Sequence, residues 1–407
     1  MVTYKVFIDS AHIECLPNLI GCSKIYHYLR ENEHIITNNP SQADFIIINT
    51  CGVFKELVKH TLDIFHKMYS LKKNNAKIIM FGCLVKIDNK LIDTLDSYSI
   101  DFDQNCELDK IFYNKTKFET ITPYCDDLTK NKFYNRIKPP NFWKIAPFII
   151  SRFFLYFSKE LKKNYQHLME QITYSKKNFV EISRGCSGNC SYCTIKKTKG
   201  NICSRSIDEI MSDIEKNYDP SKTLFLVADD CASYGTDIKS NLIDLIYKIN
   251  KKFPELVIDL NYLNPTWLEK YSDHFIKLFK NVRIGLVIIP MQSGSNKIIK
   301  KMNRHYNINN VIKIIDQIKK ISPKTILYSH YIVGFPGENT IDFLKTISTL
   351  KYFHYPTVFK YSEMKHTYSA AFKNKKSFST KLIRYIIFII IINFIILYNL
   401  KKYNDMV

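Results

Sequence analysis

Acidic side chains are scarce in this chain of 407 residues: 38 Asp and Glu stand against 59 Lys and Arg, a formal net charge of +21. The imbalance points to a polyanionic partner, nucleic acid or an anionic membrane face. An AT-rich coding sequence, which inflates Lys, Asn and Ile together, produces the same excess without a partner. No long apolar run opens the chain. Met1 to Ser10 hold a short strand-like stretch, so no export signal and no disulfides are expected. No short internal repeat is found. Hydrophobic residues at 46% and charged residues at 24% leave no room for disorder, a collagen-like chain or a polytopic membrane protein. The length suffices for a sizeable core divided into two or three structural units.

What is present is cysteine, eleven in all. An odd number fits pairing poorly, and in a chain that is not exported, spaced cysteines read as metal ligands or redox groups. Short apolar runs at residues 5–9, 45–49 and 77–81 read as buried strands, with amphipathic helices at 23–31 and 54–69. This alternation over residues 1–125 predicts a doubly wound parallel sheet whose strand C-termini share one edge. Cys15, Cys51 and Cys83 each follow one of these strands. They would gather on that edge, either as a shared site or as three small core residues.

Residues 126–177 read as a linker. Pro139-Pro140 breaks regular structure, and the aromatic-rich stretch 142–157, interrupted by Pro147, suits a packed linker better than an amphipathic helix. Strand–helix alternation resumes over residues 178–372, with strands at 179–183, 223–227, 257–261, 283–289 and 325–332. Five or six such units predict an incomplete β/α barrel with its functional groups at the strand C-termini. Residues 373–407 form a basic stretch (Lys373, Lys375, Lys376, Lys381, Arg384) followed by an apolar tail helix.

The strongest local signal is Gly185-Cys186-Ser187-Gly188-Asn189-Cys190-Ser191-Tyr192-Cys193. Three thiolates on so short a loop cannot complete a tetrahedral zinc site by themselves. They can hold three irons of a 4Fe–4S cluster and leave the fourth open to a small molecule.

This loop resembles that of radical S-adenosylmethionine (SAM) enzymes, and the chain to about residue 372 resembles the methylthiotransferases, which attach CH₃S to tRNA or to a ribosomal protein. The match is spread over many ordered motifs. They are Cys15-Leu16-Pro17-Asn18, Ile48-Asn49-Thr50-Cys51, Gly82-Cys83-Leu84, Asp230 with Tyr234-Gly235, Asn264-Pro265-Thr266, Pro290-Met291-Gln292-Ser293-Gly294-Ser295, Met302-Asn303-Arg304 and Ile332-Val333-Gly334-Phe335-Pro336-Gly337-Glu338.

The resemblance implies two 4Fe–4S clusters. One, on Cys186, Cys190 and Cys193, would bind SAM and split it to a 5′-deoxyadenosyl radical. The other, on Cys15, Cys51 and Cys83, would carry the sulfur to be inserted, with a second SAM supplying the methyl group. It also implies an external electron donor. Tyr192 would pack near the SAM adenine or serve only as a core ring. Arg205 would meet an anionic group or be a structural arginine. Gln292 and Ser293 would line the substrate or SAM cavity. Cys22, Cys106, Cys125, Cys203 and Cys231 match no ligand role.

Three departures bear on the substrate. Glu14 replaces the Gly usual before the first cysteine, Ser329-His330 replaces a Thr-Asp pair, and Cys203 stands where an arginine is usual. About 35 residues follow Phe372, too few for the RNA-binding TRAM β-barrel of the family.

The expectation is a cytoplasmic monomer that methylthiolates a modified adenosine of tRNA. The alternatives are a protein or peptide substrate, or a non-catalytic, membrane-tethered iron–sulfur protein. Lys196, Lys197 and Lys199, directly after the cysteine loop, are placed to hold phosphates or to form a solvated basic loop. The 16 uncharged residues 385–400 are short for a membrane span. Counting from Leu382, with Arg384 snorkelling, residues 382–400 make a membrane anchor, and a chain ending near Lys376 should then stay soluble. A helix packed on the body is the alternative, favoured by Asn393 near the middle of the run.

Overall fold

A computed structural model describes residues 2–11, 15–101, 107–122, 124–126 and 176–401. The expected linker lies almost wholly outside the described residues, as does Cys106.

The N-terminal unit is a parallel sheet of β1 (Lys5–Ser10), β2 (Ile35–Ile36), β3 (Phe45–Thr50), β4 (Lys77–Gly82) and β5 (Tyr98–Ile100), in the order β2-β1-β3-β4-β5. In the centre, β3 is buried along its whole length, which is why its sequence is a continuous apolar run rather than an alternating one. The register pairs Ser10 with Asn49 and Asn49 with Phe81, so the three strands end side by side. The helix after β1 begins at Leu16, directly behind Cys15, seven residues before the start read from periodicity. Pro17 and Gly21 hide its first turns from a periodicity reading, yet proline is at home in a first helical turn.

The second sheet has the order β14-β13-β12-β11-β10-β7-β6. Its strands are β6 (Tyr124–Asp126), β7 (Lys177–Glu181), β10 (Thr223–Val227), β11 (Ile258–Leu260), β12 (Ile284–Ile288), β13 (Ile326–Val333) and β14 (Tyr355–Lys360); a small ribbon of β8 (Ser183–Arg184) and β9 (Cys203–Ser204) stands apart. All neighbours in the large sheet run parallel except β6, which is antiparallel to β7. Two elements depart from the sequence reading. β6 belongs to this sheet, so a domain boundary at residue 125 cuts through a strand. β14 was not anticipated, because Pro356 and Thr357 interrupt its apolar pattern; as an edge strand it tolerates a proline.

The helix Leu16–Glu31 joins the two units, since Leu16, Leu19, Ile20 and Cys22 lie in one apolar core with the strands of the second sheet. Both sets of strand C-termini are thereby brought to a common interface.

The tail is one helix, Phe378–Lys401, long and apolar enough to cross a membrane by length and composition. It packs instead along β14. Tyr385, Phe388, Ile392, Ile396 and Leu400 are buried, and Asn399 donates to the carbonyls of Phe353 and His354. Asn393, fully buried, bonds to the Ile389 carbonyl. Arg384, expected to snorkel, forms an ion pair with fully buried Glu338. One face of the helix is thus packed on the body. Ile383, Ile386, Phe394 and Tyr398 form its exposed face.

Two histidines, His354 buried and His330 half-buried, make the fold acid-sensitive. His354 accepts a hydrogen bond from the Leu327 amide through Nδ1 at 2.9 Å, so its ring is neutral. Burial, aided by Lys319, lowers its pKa to about 4, and burial does the same to His330. Below about 6.5 the unfolded chain takes up protons that the folded one refuses, so stability is lost as pH falls from about 6.5 to about 4. The expected loss by pH 5 is about 2 kcal/mol for His354 and less for half-buried His330. Denaturant midpoints measured at pH 7 and pH 5 check this; equal midpoints contradict it. In His354→Gln more than half of the change should disappear.

Candidate functional site

The first cysteine triad is built by strand ends. Cys51 follows β3, and Cys83 opens the short helix Cys83–Ile87 after β4. Both are buried, while Cys15 is half-buried. Gly82 has φ +110°, where a Cβ would stand 2.8 Å from Asn49 Oδ1; only glycine lets the chain turn there so that Cys83 faces Cys51. Burial raises all three thiol pKa values, that of Cys15 to about 11, and the three lie close enough to act on one another: Cys83 raises Cys15, and Cys83 and Cys15 raise Cys51. The Asn18 amide group sits 3.7 Å from Cys83 Sγ.

The second triad lies on the loop after β8. Gly185, at φ +79°, has no room for a Cβ, which would meet the Asn201 carbonyl at 2.2 Å. The loop is stitched to the segment 301–304. Ser191 N–H donates to the Met302 carbonyl (2.9 Å), Ser191 Oγ to the Lys301 carbonyl (2.9 Å), and Asn303 Nδ2 to the Asn189 carbonyl (2.7 Å). Sulfur atoms here receive N–H donors: Gly188 N to Cys186 (3.2 Å), Ile195 N to Cys193 (3.4 Å) and Arg304 Nη1 to Cys190 (3.7 Å). Desolvation lifts the thiol of half-buried Cys186 and, although its side chain reaches the surface, that of Cys193.

The donor set is what a 4Fe–4S cube requires. Each triad is all sulfur, every thiol in it is free, and N–H groups already point at sulfurs of the second triad, as outer-sphere donors do in cluster sites. In the first triad such raised pKa values keep the thiols protonated until metal binding displaces the protons. Among the described residues, no three Cys, His, Asp or Glu converge tightly enough for a single ion. A cube spreads its ligands more widely than one ion does.

Around the second triad stand groups to which sequence reasoning gave no role. Arg304 is buried, its Nη1 3.4 Å from Tyr192 Oη and its Nη2 3.0 Å from Asn264 Oδ1 and 3.1 Å from the Pro290 carbonyl. Its Nε–H and Asp230 Oδ1 are buried without a hydrogen-bond partner. Burial lifts the Asp230 carboxyl to about 6, against the pull of Arg304. An unpartnered buried donor and acceptor beside a cysteine triad suit a polar ligand such as the amino-acid end of SAM. Arg304 stood in a recognised motif, so its position was legible although its contacts were not.

Of the other expected residues, Tyr192 lies half-buried between Arg304 and Phe335. Gln292 follows β12 with φ +63°, a conformation unusual for a residue with a side chain. Its amide donates to the His330 carbonyl, and its own carbonyl accepts from Ile332. Ser293 is fully buried, its hydroxyl 3.2 Å from Thr346 Oγ1 and accepting from the Ser295 amide. Arg205 pairs with Asp213 at 2.5 Å and donates to the Glu181 carbonyl, so its charge is already balanced within the protein. Lys196 and Lys197 are exposed, but Lys199 is buried and ion-paired with Asp229, which removes it from phosphate contact. Cys22 and Cys231 are buried and Cys203 is exposed.

Between the two units lies a group of rings. His330 on β13 meets Tyr262 (centroids 5.6 Å apart), Tyr328 (5.0 Å) and Phe359 (5.4 Å). Phe54, three residues beyond Cys51, stacks on Phe359 at 5.6 Å.

Two family models match the chain: the Radical SAM superfamily over residues 180–350 and Uncharacterized protein family UPF0004 over residues 7–101. Among curated relatives, a ribosomal protein uS12 methylthiotransferase RimO of Dictyoglomus thermophilum is 26% identical, over 92% of this chain and 80% of the relative. A probable threonylcarbamoyladenosine tRNA methylthiotransferase of Methanocaldococcus jannaschii is 25% identical, over 88% and 76%. Among solved structures, the radical SAM methyltransferase TsrM of Kitasatospora setae superposes with a TM-score of 0.57 at 10% identity, covering 88% of this chain and 75% of that one. That likeness concerns the fold.

Proposed function

Because the chain belongs to the radical SAM methylthiotransferase family, an enzyme family that uses SAM and two 4Fe–4S clusters, we propose that it methylthiolates a modified adenosine of tRNA. Cys186, Cys190 and Cys193 would hold the SAM-binding cluster, and Cys15, Cys51 and Cys83 the sulfur-bearing one. When bound, these groups supply one-electron cleavage of SAM, hydrogen abstraction from an unactivated C–H bond, and the sulfur that replaces the hydrogen.

The protein's own residues bind and orient. Arg304 and Asp230 offer an unpartnered donor and acceptor to the amino-acid end of SAM. Tyr192 adjoins them, its hydroxyl 3.4 Å from Arg304 Nη1, while Ser293 and Arg205 are engaged within the protein by Thr346 and Asp213. The ring group Tyr262, His330, Phe359 and Phe54 bridges the Cys51 loop and the barrel strands, where a planar base can stack. That group carries the nucleic-acid reading, and the charge of +21 supports it. Within this reading the chain acts as a cytoplasmic monomer supplied by an external electron donor.

A second reading is favoured by the relatives, several of which are named for ribosomal protein uS12. The two are separated by anaerobic assay of the cluster-loaded enzyme with bulk tRNA and, in parallel, with uS12. Mass spectrometry of nucleosides and of peptides then reads the methylthio adduct. An adduct on tRNA alone is the expected outcome; an adduct on uS12 alone replaces the tRNA reading.

A further inference from the structure

We propose that the buried Lys199–Asp229 ion pair is the electrostatic link between the two cysteine triads, and that Lys199 is the positioning residue that balances the charge of the triad Cys15, Cys51 and Cys83. Lys199 Nζ lies 3.0 Å from Asp229 Oδ1, with side chains only 1% and 4% exposed. The other carboxylate oxygen of Asp229 accepts the Gly185 amide at 2.9 Å, at the start of the SAM-cluster loop. Lys199 ends the helix Ile195–Lys199, which leaves that loop and packs on the helix Cys83–Ile87 of the N-terminal unit. One ion pair therefore touches the base of the second triad and faces the first.

The electrostatics agree with the geometry. The Lys199 ammonium lies within electrostatic reach of the sulfurs of Cys15, Cys51 and Cys83. Asp229 acts in the opposite sense on Cys15, Cys83 and Cys193. A buried ion pair is poor evidence of stabilisation, because desolvation offsets most of the attraction. A cation facing three ligand sulfurs has a different use. Metal loading turns the thiols into thiolates, and each reduction adds one more negative charge beside Lys199. Net charge and hydrogen bonding at the sulfurs set cluster potentials. The nearby Lys196 and Lys197 are exposed to water and screened.

This inference rests on the two-cluster reading and is independent of the substrate. About eight irons per loaded wild-type chain verifies the premise; a lower content would fail the two-cluster reading rather than the role of Lys199. The test uses the full chain with Cys186, Cys190 and Cys193 changed to Ala, so that only the first triad carries a cluster, and follows its reduction by EPR-monitored titration. Lys199→Met should disfavour reduction at least tenfold, a fall of about 59 mV for a one-electron couple. Lys199→Arg should keep the wild-type potential, and Lys196→Met should leave it unmoved. Loss of iron in Lys199→Met with retention in Lys199→Arg also supports the proposal, since charge is what separates the two variants. An unchanged potential in Lys199→Met, or equal loss of iron in Met and Arg variants, overturns it.

Discussion

Replacing Cys186, Cys190 and Cys193 together by alanine is expected to remove one cluster and all SAM cleavage while leaving the other cluster in place. The reciprocal replacement of Cys15, Cys51 and Cys83 should leave SAM cleavage and stop methylthio transfer. The reason is spatial. One triad is confined to a single loop held by Ser191 and Asn303. The other is assembled from the ends of β1, β3 and β4, where Gly82 turns Cys83 towards Cys51. No cysteine is shared, so each site keeps its three sulfurs when the other loses them. Iron analysis, 5′-deoxyadenosine release and adduct formation read the three consequences separately. Complete loss of both clusters from either triple variant, with the fold intact by circular dichroism, would falsify two independent sites.

Ending the chain at Lys376 is expected to destroy the fold rather than to release a soluble core. From the sequence the tail reads as a removable anchor; in the structure it is the cover of β14. Tyr385, Phe388, Ile392, Ile396 and Leu400 are buried against the body, and each such side chain contributes about 1.5–3 kcal/mol. Their sum is of the order of the whole net stability of a domain, roughly 5–15 kcal/mol. Truncation also strips Glu338 of its partner. Arg384 holds that carboxylate in a site where burial pushes its pKa up, and the Gly334 amide is its other bonded partner, at 2.8 Å. Leaving one member of a buried pair alone costs about 3–5 kcal/mol. The single change Arg384→Met should therefore lower stability by that amount, and Glu338→Gln added to it should recover part. A shortened chain that stays soluble, folded and able to bind iron would show that the helix is dispensable.

The two cysteine triads and the parallel strands were legible in the sequence because both depend on local pattern. Buried parallel strands are continuous apolar runs, and the Cys186–Cys193 loop encloses its site within eight residues. The alternation of strand and helix further implied that Cys15, Cys51 and Cys83 share a sheet edge, and the register of β1, β3 and β4 agrees. Local pattern failed where an element owes its existence to a neighbour. β6 is three residues long and forms by adding to the edge at β7, and β14 keeps a proline because only one of its edges is paired within the sheet.

Charge roles lay outside the reach of sequence for the same reason. Lys196, Lys197 and Lys199 are equivalent as letters, and their helix separates them, exposing the first two and burying the third against Asp229. Arg384 read as a snorkelling residue until Glu338, 46 positions away, was found against it. By itself the sequence determined the donor set: two triads of thiols, one on a single loop and one at three strand ends. The tertiary structure decided which charges those atoms face and which surface the tail covers, because burial and pairing belong to the space between distant segments and not to any one of them.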